Sequence, residues 1–408
     1  MSEPRKIVIL GSTGSIGTQA IDVVLQNPKL FTVSAIAASG AHPQQLARSA
    51  FDLQVEMVAV SNATNVEDVM LCLYAEVQRR GLQPGSYRMP KVLGGPSATA
   101  DIVEIDCDVV LNAVAGSVGL QATLRTLAHG HTLALANKES LVAGGQLVLD
   151  AANPGQIVPV DSEHSAMAQC LRSGRQDEVR KIILTASGGP FRGFSTEQLQ
   201  SVTLEQALAH PTWAMGPSNT INSATLVNKG LELIEAHLLF GVAPEDIVVT
   251  VHPQSIVHSM IEFFDGSTIA QCSPPDMRLP IALALGWPNR VPASTAPVDF
   301  TAAQHWSFEP LDDAVFPAVR LARDCAKIGG LAPATYNAAN ELAMSAFISG
   351  NLPFADIVGV IDRVLSTAQA DRDLAIAAAS YDEVVQLEGW IKSLARNIIA
   401  AHQEAGSC

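Results

Sequence analysis

Ile7-Val8-Ile9-Leu10-Gly11-Ser12-Thr13-Gly14-Ser15-Ile16-Gly17 decides the fold: an apolar run, a glycine loop, then helical periodicity through Ile21, Val24 and Leu25. Strand, loop and helix in that order suit an anion. Free amides gather at a helix N-terminus, and glycines let the backbone come close to a ligand. The spacing G-x-x-G-x-x-G is a relative of the dinucleotide fingerprint, and its place on the first strand favours a pyrophosphate; a plain turn is the alternative for any glycine-rich loop. Short β-rich runs at 6–10, 31–37, 56–60, 108–114 and 131–136 then alternate with helical patterns. This rhythm predicts an α/β, Rossmann-like parallel sheet.

Outward from this region, 408 residues exceed one ordinary domain and call for two or three. The first unit is expected over 1–155. An α/β region with strands near 181–186, 247–251 and 256–263 follows over 156–286, and this second strand set has hairpin character. The proline-rich stretch 287–318 reads as a linker, and 319–408 as a C-terminal α-helical bundle with segments at 318–348, 354–369 and 381–402 and no cluster of unusual chemistry. The polar, turn-rich stretch 78–96 reads as a connection.

Hydrophobic content is 48% and charged content 16%, with no run of about 18 apolar residues that would span a bilayer. The chain enters a strand almost at once and opens with Met-Ser-Glu-Pro-Arg-Lys, so neither a secretory signal nor a transit peptide is expected and the cytoplasm is the expected location. A net charge of −15 argues against nucleic acid and anionic membrane as partners, since both demand a positive field. Six cysteines form no C-x-x-C pair, so reduced thiols are expected rather than structural zinc or disulfides.

Polar groups at the C-terminal ends of strands mark the ligand side of such a sheet. After strand 31–37, an acid would hold the ribose 2′-hydroxyl of NAD, but Ala38-Ser39-Gly40-Ala41-His42 has none. Its absence favours NADP, with Gly40 and His42 as candidates; His42 simply starting a helix is the structural alternative. Asn137-Lys138-Glu139-Ser140 follows the strand ending at Ala136, where Lys138 can hold an anion or remain a solvated lysine.

Strand 157–160 runs into Asp161-Ser162-Glu163-His164. In extended chain, Asp161 and Glu163 point the same way and invite a hard cation such as Mg²⁺ or Mn²⁺; an Asp cap with Glu in a first helical turn is the alternative. On the helix marked by Val227, Leu231, Ile234 and Leu238, Asn228 and Lys229 lie one turn from Glu232, offering an amide, a cation and a carboxylate. A surface salt pair is the competing reading there. Ser187-Gly188-Gly189-Pro190 is a candidate phosphate loop. His210-Pro211-Thr212-Trp213-Ala214-Met215-Gly216-Pro217 has the composition of a lid, placed at 208–217, or of a packed surface loop.

Taken in order, GSTGSIG, LANKES, VDSEH, TASGGPFR, HPTWAMG, MGPSNTINSATLVNKGLE, VHPQSIVHSM and CSPPDMR resemble the 1-deoxy-D-xylulose 5-phosphate reductoisomerase family. The resemblance implies an NADPH domain, a catalytic domain with a divalent metal and a lid, a C-terminal helical domain, and a homodimer. By motif match, Thr13, Gly14, Ser15, Ile16, Gly17, Asn137, Glu139 and Gly216 contact NADPH. Asp161, Glu163 and Glu232 match the metal ligands, for Mg²⁺ or Mn²⁺, with Co²⁺ a further candidate. Lys138, Ser162 and Glu163 match residues around the reacting carbons. Ser187, His210, Ser223, Asn228 and Lys229 match contacts to substrate and phosphate, and Trp213 and Met277 match apolar groups closing over the ligand. The family usually carries a basic residue and an asparagine where this chain has Ala41-His42. Lys138 and Glu163 are the expected catalytic pair, acting on a phosphorylated sugar by carbon–carbon cleavage and rejoining or by a ketol shift. A NADPH-sensing regulator and a simple semialdehyde reductase are the rival functions.

Overall fold

The computed structural model describes residues 3–406 apart from Pro84 and Ala214, with backbone alone at Ala405 and Gly406. Ala214 of the expected lid and Cys408 therefore lie outside the described residues. Two compact units form. The first comprises residues 1–140, 150–165 and 276–295, and the second comprises 141–149, 166–275 and 296–408.

The first unit holds seven parallel strands: β1 (Arg5–Leu10), β2 (Phe31–Ala38), β3 (Met57–Val60), β4 (Lys91–Gly94), β5 (Val109–Asn112), β6 (Thr132–Leu135) and β7 (Ile157–Pro159), in the order β4-β3-β2-β1-β5-β6-β7. β1 pairs with both β2 and β5, so the strand order reverses beside the glycine loop. That reversal is where open α/β sheets bind ligands. Ile7, Val8, Ile9 and Leu10 are fully buried, as a central strand covered on both faces requires. Helix Arg278–Gly286 buries Ile281, Ala282, Ala284 and Leu285 in the same core as Ile7 and Ile36.

In the second unit a five-stranded sheet, β11-β10-β8-β9-β12, is built from β8 (Val179–Ala186), β9 (Ile247–Val251), β10 (Val257–Phe263), β11 (Thr268–Cys272) and β12 (Glu309–Pro310). Ile182, Leu184, Ile247 and Ile261 face a core shared with helices Val227–Phe240, Ala318–Ile328, Ala332–Ile348, Ile357–Asp371 and Tyr381–Gly406.

The structure corrects several readings. In the second strand set β8 lies between β9 and β10, parallel to the first and antiparallel to the second, and the hairpin is β10 with β11, a strand the sequence did not mark. The connection 78–96 contains edge strand β4, whose only apolar residues are Val92 and Leu93. The stretch 287–318 adds β12 to β9. Segment 318–348 is two helices, broken at Gly329 and Gly330, whose φ values of +69° and +54° no helix accommodates. The C-terminal helices also bury two polar side chains, Asn337 and Asn340.

No helix among the described residues is long and apolar enough to cross a membrane. The described cysteines, Cys72, Cys107, Cys170, Cys272 and Cys325, are unpaired as disulfides.

Candidate active site

The glycine loop sits between β1 and helix Ser15–Gln26. Gly11 has φ +79°, and a Cβ there would lie 2.4 Å from Ala113 O; one at Gly17 would lie 2.3 Å from Gly11 O. Both positions exclude any side chain, whereas a Cβ on Gly14 meets only Gly11 O, at 3.3 Å. Gly14 caps the helix without a side-chain bond, and the first turn holds no acid. The amides of Ser15, Ile16 and Gly17 are thus left at a helix N-terminus for an anion, with Thr13 half-buried beside them. Ile16 and Met277 both pack against the first unit's core.

Gly40 has φ +83° and no room for a Cβ, which would come within 2.7 Å of Asn65 Cβ. His42 is exposed at the N-cap of helix Pro43–Asp52, with no side-chain capping bond. It does begin a helix, and its ring is left on the surface.

Asn137 is buried and spends its amide on structure. Its Nδ2 donates to Gly116 O at 2.8 Å and to Val114 O, and its Oδ1 accepts from Ser140 N at 2.8 Å. It pins the loop after β5 to the start of helix Lys138–Gly144, whose first turn carries half-buried Glu139. Asn112, absent from the sequence reading, helps by donating to Gly119 O at 3.0 Å and Thr123 Oγ1 at 2.9 Å. A polar residue ending an apolar strand was its only signal.

Lys138 Nζ donates to Asp161 Oδ2 at 2.6 Å, with side chains only 8% and 11% exposed. Asp161 Oδ1 accepts from Glu163 N at 3.1 Å and lies 3.0 Å from His164 Nδ1. Burial is the largest influence on Asp161 and opposes ionisation; the charges of Lys138 and His164, with their hydrogen bonds, outweigh it and hold the carboxyl well below its usual range. The expectation that Asp161 and Glu163 project from extended chain is corrected: β7 ends at Pro159 and helix Ser162–Cys170 begins at Ser162. Capping the exposed amide of Glu163 draws the chain into a helix. The capping alternative and the convergence both hold, since carboxylate oxygens of Asp161 and Glu163 lie within 4.8 Å of each other. Ser162 Oγ donates to Glu163. His164, fully buried, received no role from the sequence although it lies three residues along the same helix.

In the second unit, His210 gathers two predicted partners: its Nε2 lies 3.1 Å from both Ser187 Oγ and Ser223 Oγ. Its Nδ1 accepts from Thr212 N at 3.1 Å and Trp213 N at 2.9 Å, which places the ring proton on Nε2. Burial pushes the ring's pKa down, so it is neutral at pH 7. Trp213 meets His258 edge-on, centroids 6.1 Å apart, and exposed Gly216 caps helix Pro217–Ala224.

On helix Val227–Phe240, Asn228 Nδ2 donates to Glu232 Oε1 at 2.5 Å and Lys229 Nζ to Glu232 Oε2. The surface-pair reading fails here, because the Lys229 and Glu232 side chains are 5% and 2% exposed. A buried ion pair on one turn is costly to assemble, because both charges leave water.

A parallel sheet with an open helix N-terminus at its switch point, and a buried lysine–carboxylate pair in each unit, define a nucleotide-dependent α/β enzyme. Comparison with known proteins narrows this class. The family model for 1-deoxy-D-xylulose 5-phosphate reductoisomerase matches residues 7–145, and its two C-terminal domain models match 157–240 and 272–394. The chain is 55% identical over 399 residues to the 1-deoxy-D-xylulose 5-phosphate reductoisomerase of Rhodococcus jostii, covering 98% of this chain and 95% of that one. It is 56% identical over 398 residues to that of Pseudarthrobacter chlorophenolicus, covering 98% and 99%. Among solved structures, the Zymomonas mobilis enzyme in complex with NADPH is 37% identical with a TM-score of 0.86, covering 98% and 99%. A DOX-P reductoisomerase complex with NADPH, fosmidomycin and magnesium is 32% identical with a TM-score of 0.88 and the same coverage. The chain belongs to the 1-deoxy-D-xylulose 5-phosphate reductoisomerase family.

Proposed function

We propose that this chain rearranges and reduces 1-deoxy-D-xylulose 5-phosphate to 2-C-methyl-D-erythritol 4-phosphate, using NADPH and a divalent metal. The observation that carries the reading is Asp161 at the end of β7, ionised by Lys138 and His164 and adjoining Glu163. The glycine cradle fits a dinucleotide, since Gly11 and Gly17 leave no room for a Cβ and so hold the loop tight against neighbouring backbone beneath the helix N-terminus, and paired carboxylates are the donor set of a hard cation. Asp161 and Glu163 from the first unit and Glu232 from the second are assigned to one Mg²⁺ or Mn²⁺, on the motif match and the chemistry of each half taken separately. When bound, NADPH supplies a hydride and the metal polarises the substrate's oxygens.

The chain's own groups do the rest. Lys138 holds negative charge developing on a substrate oxygen, and Glu163 moves the hydroxyl proton. Ser162 orients Glu163 through its hydroxyl. Neutral His210 donates from Nε2, and with Ser187, Ser223, Asn228 and Lys229 it binds the phosphate end. Trp213 and Met277 belong to the closing surface, with 208–217 as the lid that excludes water and its Gly216 on the NADPH side. Thr13, Gly14, Ser15, Ile16, Gly17, Gly40, His42, Asn137 and Glu139 form the NADPH side. His42 favours the 2′-phosphate, so NADPH is preferred, and equal catalytic efficiency with NADH contradicts that.

The semialdehyde reductase alternative lacks a nucleophile among the described thiols. Burial pushes Cys107 up to about 12, Cys170 to about 11 and Cys325 to about 12, and raises Cys72 and Cys272. Homodimerisation uses the sheet face turned from the core, where Ala270, Met260, Ile183 and Val248 lie in register and Val248 is 40% exposed. Val248→Asp is expected to yield monomer in sedimentation, and an unchanged dimer removes this face. A cytoplasmic location completes the reading.

Following NADPH absorbance with 1-deoxy-D-xylulose 5-phosphate tests the function. Oxidation with Mg²⁺ that stops on chelation and yields 2-C-methyl-D-erythritol 4-phosphate is expected. Intact NADPH binding without consumption contradicts it.

A further inference from the structure

We infer that Asn340, on a C-terminal helix, is a positioning residue for the phosphate end of the substrate, acting through Asn222 on Ser223. The inference rests on the reading of Ser223 as a phosphate contact. Asn340 lies in helix Ala332–Ile348 and is almost wholly buried, among Ala338, Ala339 and Ala343 on the same helix. Its Nδ2 donates to Asn222 Oδ1 at 3.0 Å. One turn earlier, equally buried Asn337 donates to Glu341 Oε1 at 3.2 Å, and Glu341 pairs with Lys392 of helix Tyr381–Gly406 at 2.8 Å. The Asn340–Asn222 bond is thus a polar line from helix Ala332–Ile348 to the residue before Ser223.

Two considerations give that line a task. Asparagine is a poor helix former, and a buried amide is costly unless all its groups are paired. The Oδ1 atoms of Asn337 and Asn340 are buried without a protein partner among the described residues, so an apolar side chain would fill these places at lower cost. What an apolar side chain does not supply is the bond to Asn222. Helix Pro217–Ala224 has only eight residues, too few to hold its own orientation, and tertiary bonds must set it. Asn222 and Ser223 are consecutive on it, and Ser223 Oγ sits 3.1 Å from His210 Nε2. Rolling this helix would separate the hydroxyl from the imidazole.

The test is a double-mutant cycle of Asn340→Leu and Ser223→Ala in the full-length enzyme. Its readouts are KM for the sugar phosphate, the inhibition constant of inorganic phosphate, KM for NADPH, and kcat. Asn340→Leu is expected to raise the first two about tenfold while leaving the NADPH KM and kcat near wild type, and to add little once Ser223 is alanine. A fall in kcat or a rise in the NADPH KM, or full additivity with Ser223→Ala, overturns the inference and leaves Asn340 as packing. If Ser223→Ala itself leaves KM and phosphate inhibition unchanged, the phosphate reading of Ser223 fails instead. Should Asn340→Leu not fold, Asn222→Ala removes the bond from the other side and faces the same criteria.

Discussion

Two buried lysine–carboxylate pairs, one in each unit, do similar electrostatic work but are built in opposite ways. Lys229 and Glu232 meet within one helical turn, so local spacing makes the pair. Lys138 and Asp161 are 23 residues apart and meet because the segments following β6 and β7, neighbours in the sheet, leave it on the same side. The first pair depends on a helix and the second on a sheet, and they should fail differently.

The largest expected effect breaks the helical pair. Glu232→Gln should lower metal-dependent turnover by more than about 100-fold, beyond the usual cost of disturbing a ligand's supporting contacts. NADPH affinity should stay unchanged, because the glycine cradle lies in the other unit; wild-type turnover would remove Glu232 from the reaction. Lysine replacements sharpen the contrast. Lys229→Met takes the cation from a buried carboxylate that keeps the neutral Asn228 amide and should cost about 3 kcal/mol in denaturant unfolding. Lys138→Met should cost less, since Asp161 keeps His164 and the Glu163 amide. The reverse order would show that the sheet-built centre is the more dependent on its lysine.

The smallest effect concerns acid. The folded-state pKa of Asp161 lies well below the usual range, so its ionisation stabilises the fold above the unfolded-state value of about 3.9. That contribution is lost as pH falls further, through the folded value. Stability of the metal-free protein should therefore differ between wild type and Asp161→Asn at neutral pH and converge in strong acid. A difference constant with pH would mean that Asp161 acts through packing alone.

The same contrast explains what the sequence made legible. Spacing along one element suffices for the glycine loop and for Asn228, Lys229 and Glu232, and all were read correctly as elements. Strand geometry misplaced Asp161 and Glu163, because the capping bond to Glu163 N ends the extended chain early. Pairings between distant elements left no local trace: β8 between β9 and β10, Lys138 on Asp161, Asn340 on Asn222. Edge strands β4 and β12 were missed because each is short and pairs on one side, so neither carries the apolar run of a central strand.

The central claim is that the two carboxylate centres serve one metal. Titrating Mn²⁺ into the wild type, Asp161→Asn and Glu232→Gln, with bound metal followed by electron paramagnetic resonance, tests it most directly. One tight site, weakened at least tenfold by either substitution, is the predicted result. Wild-type Mn²⁺ affinity in either folded variant would contradict it.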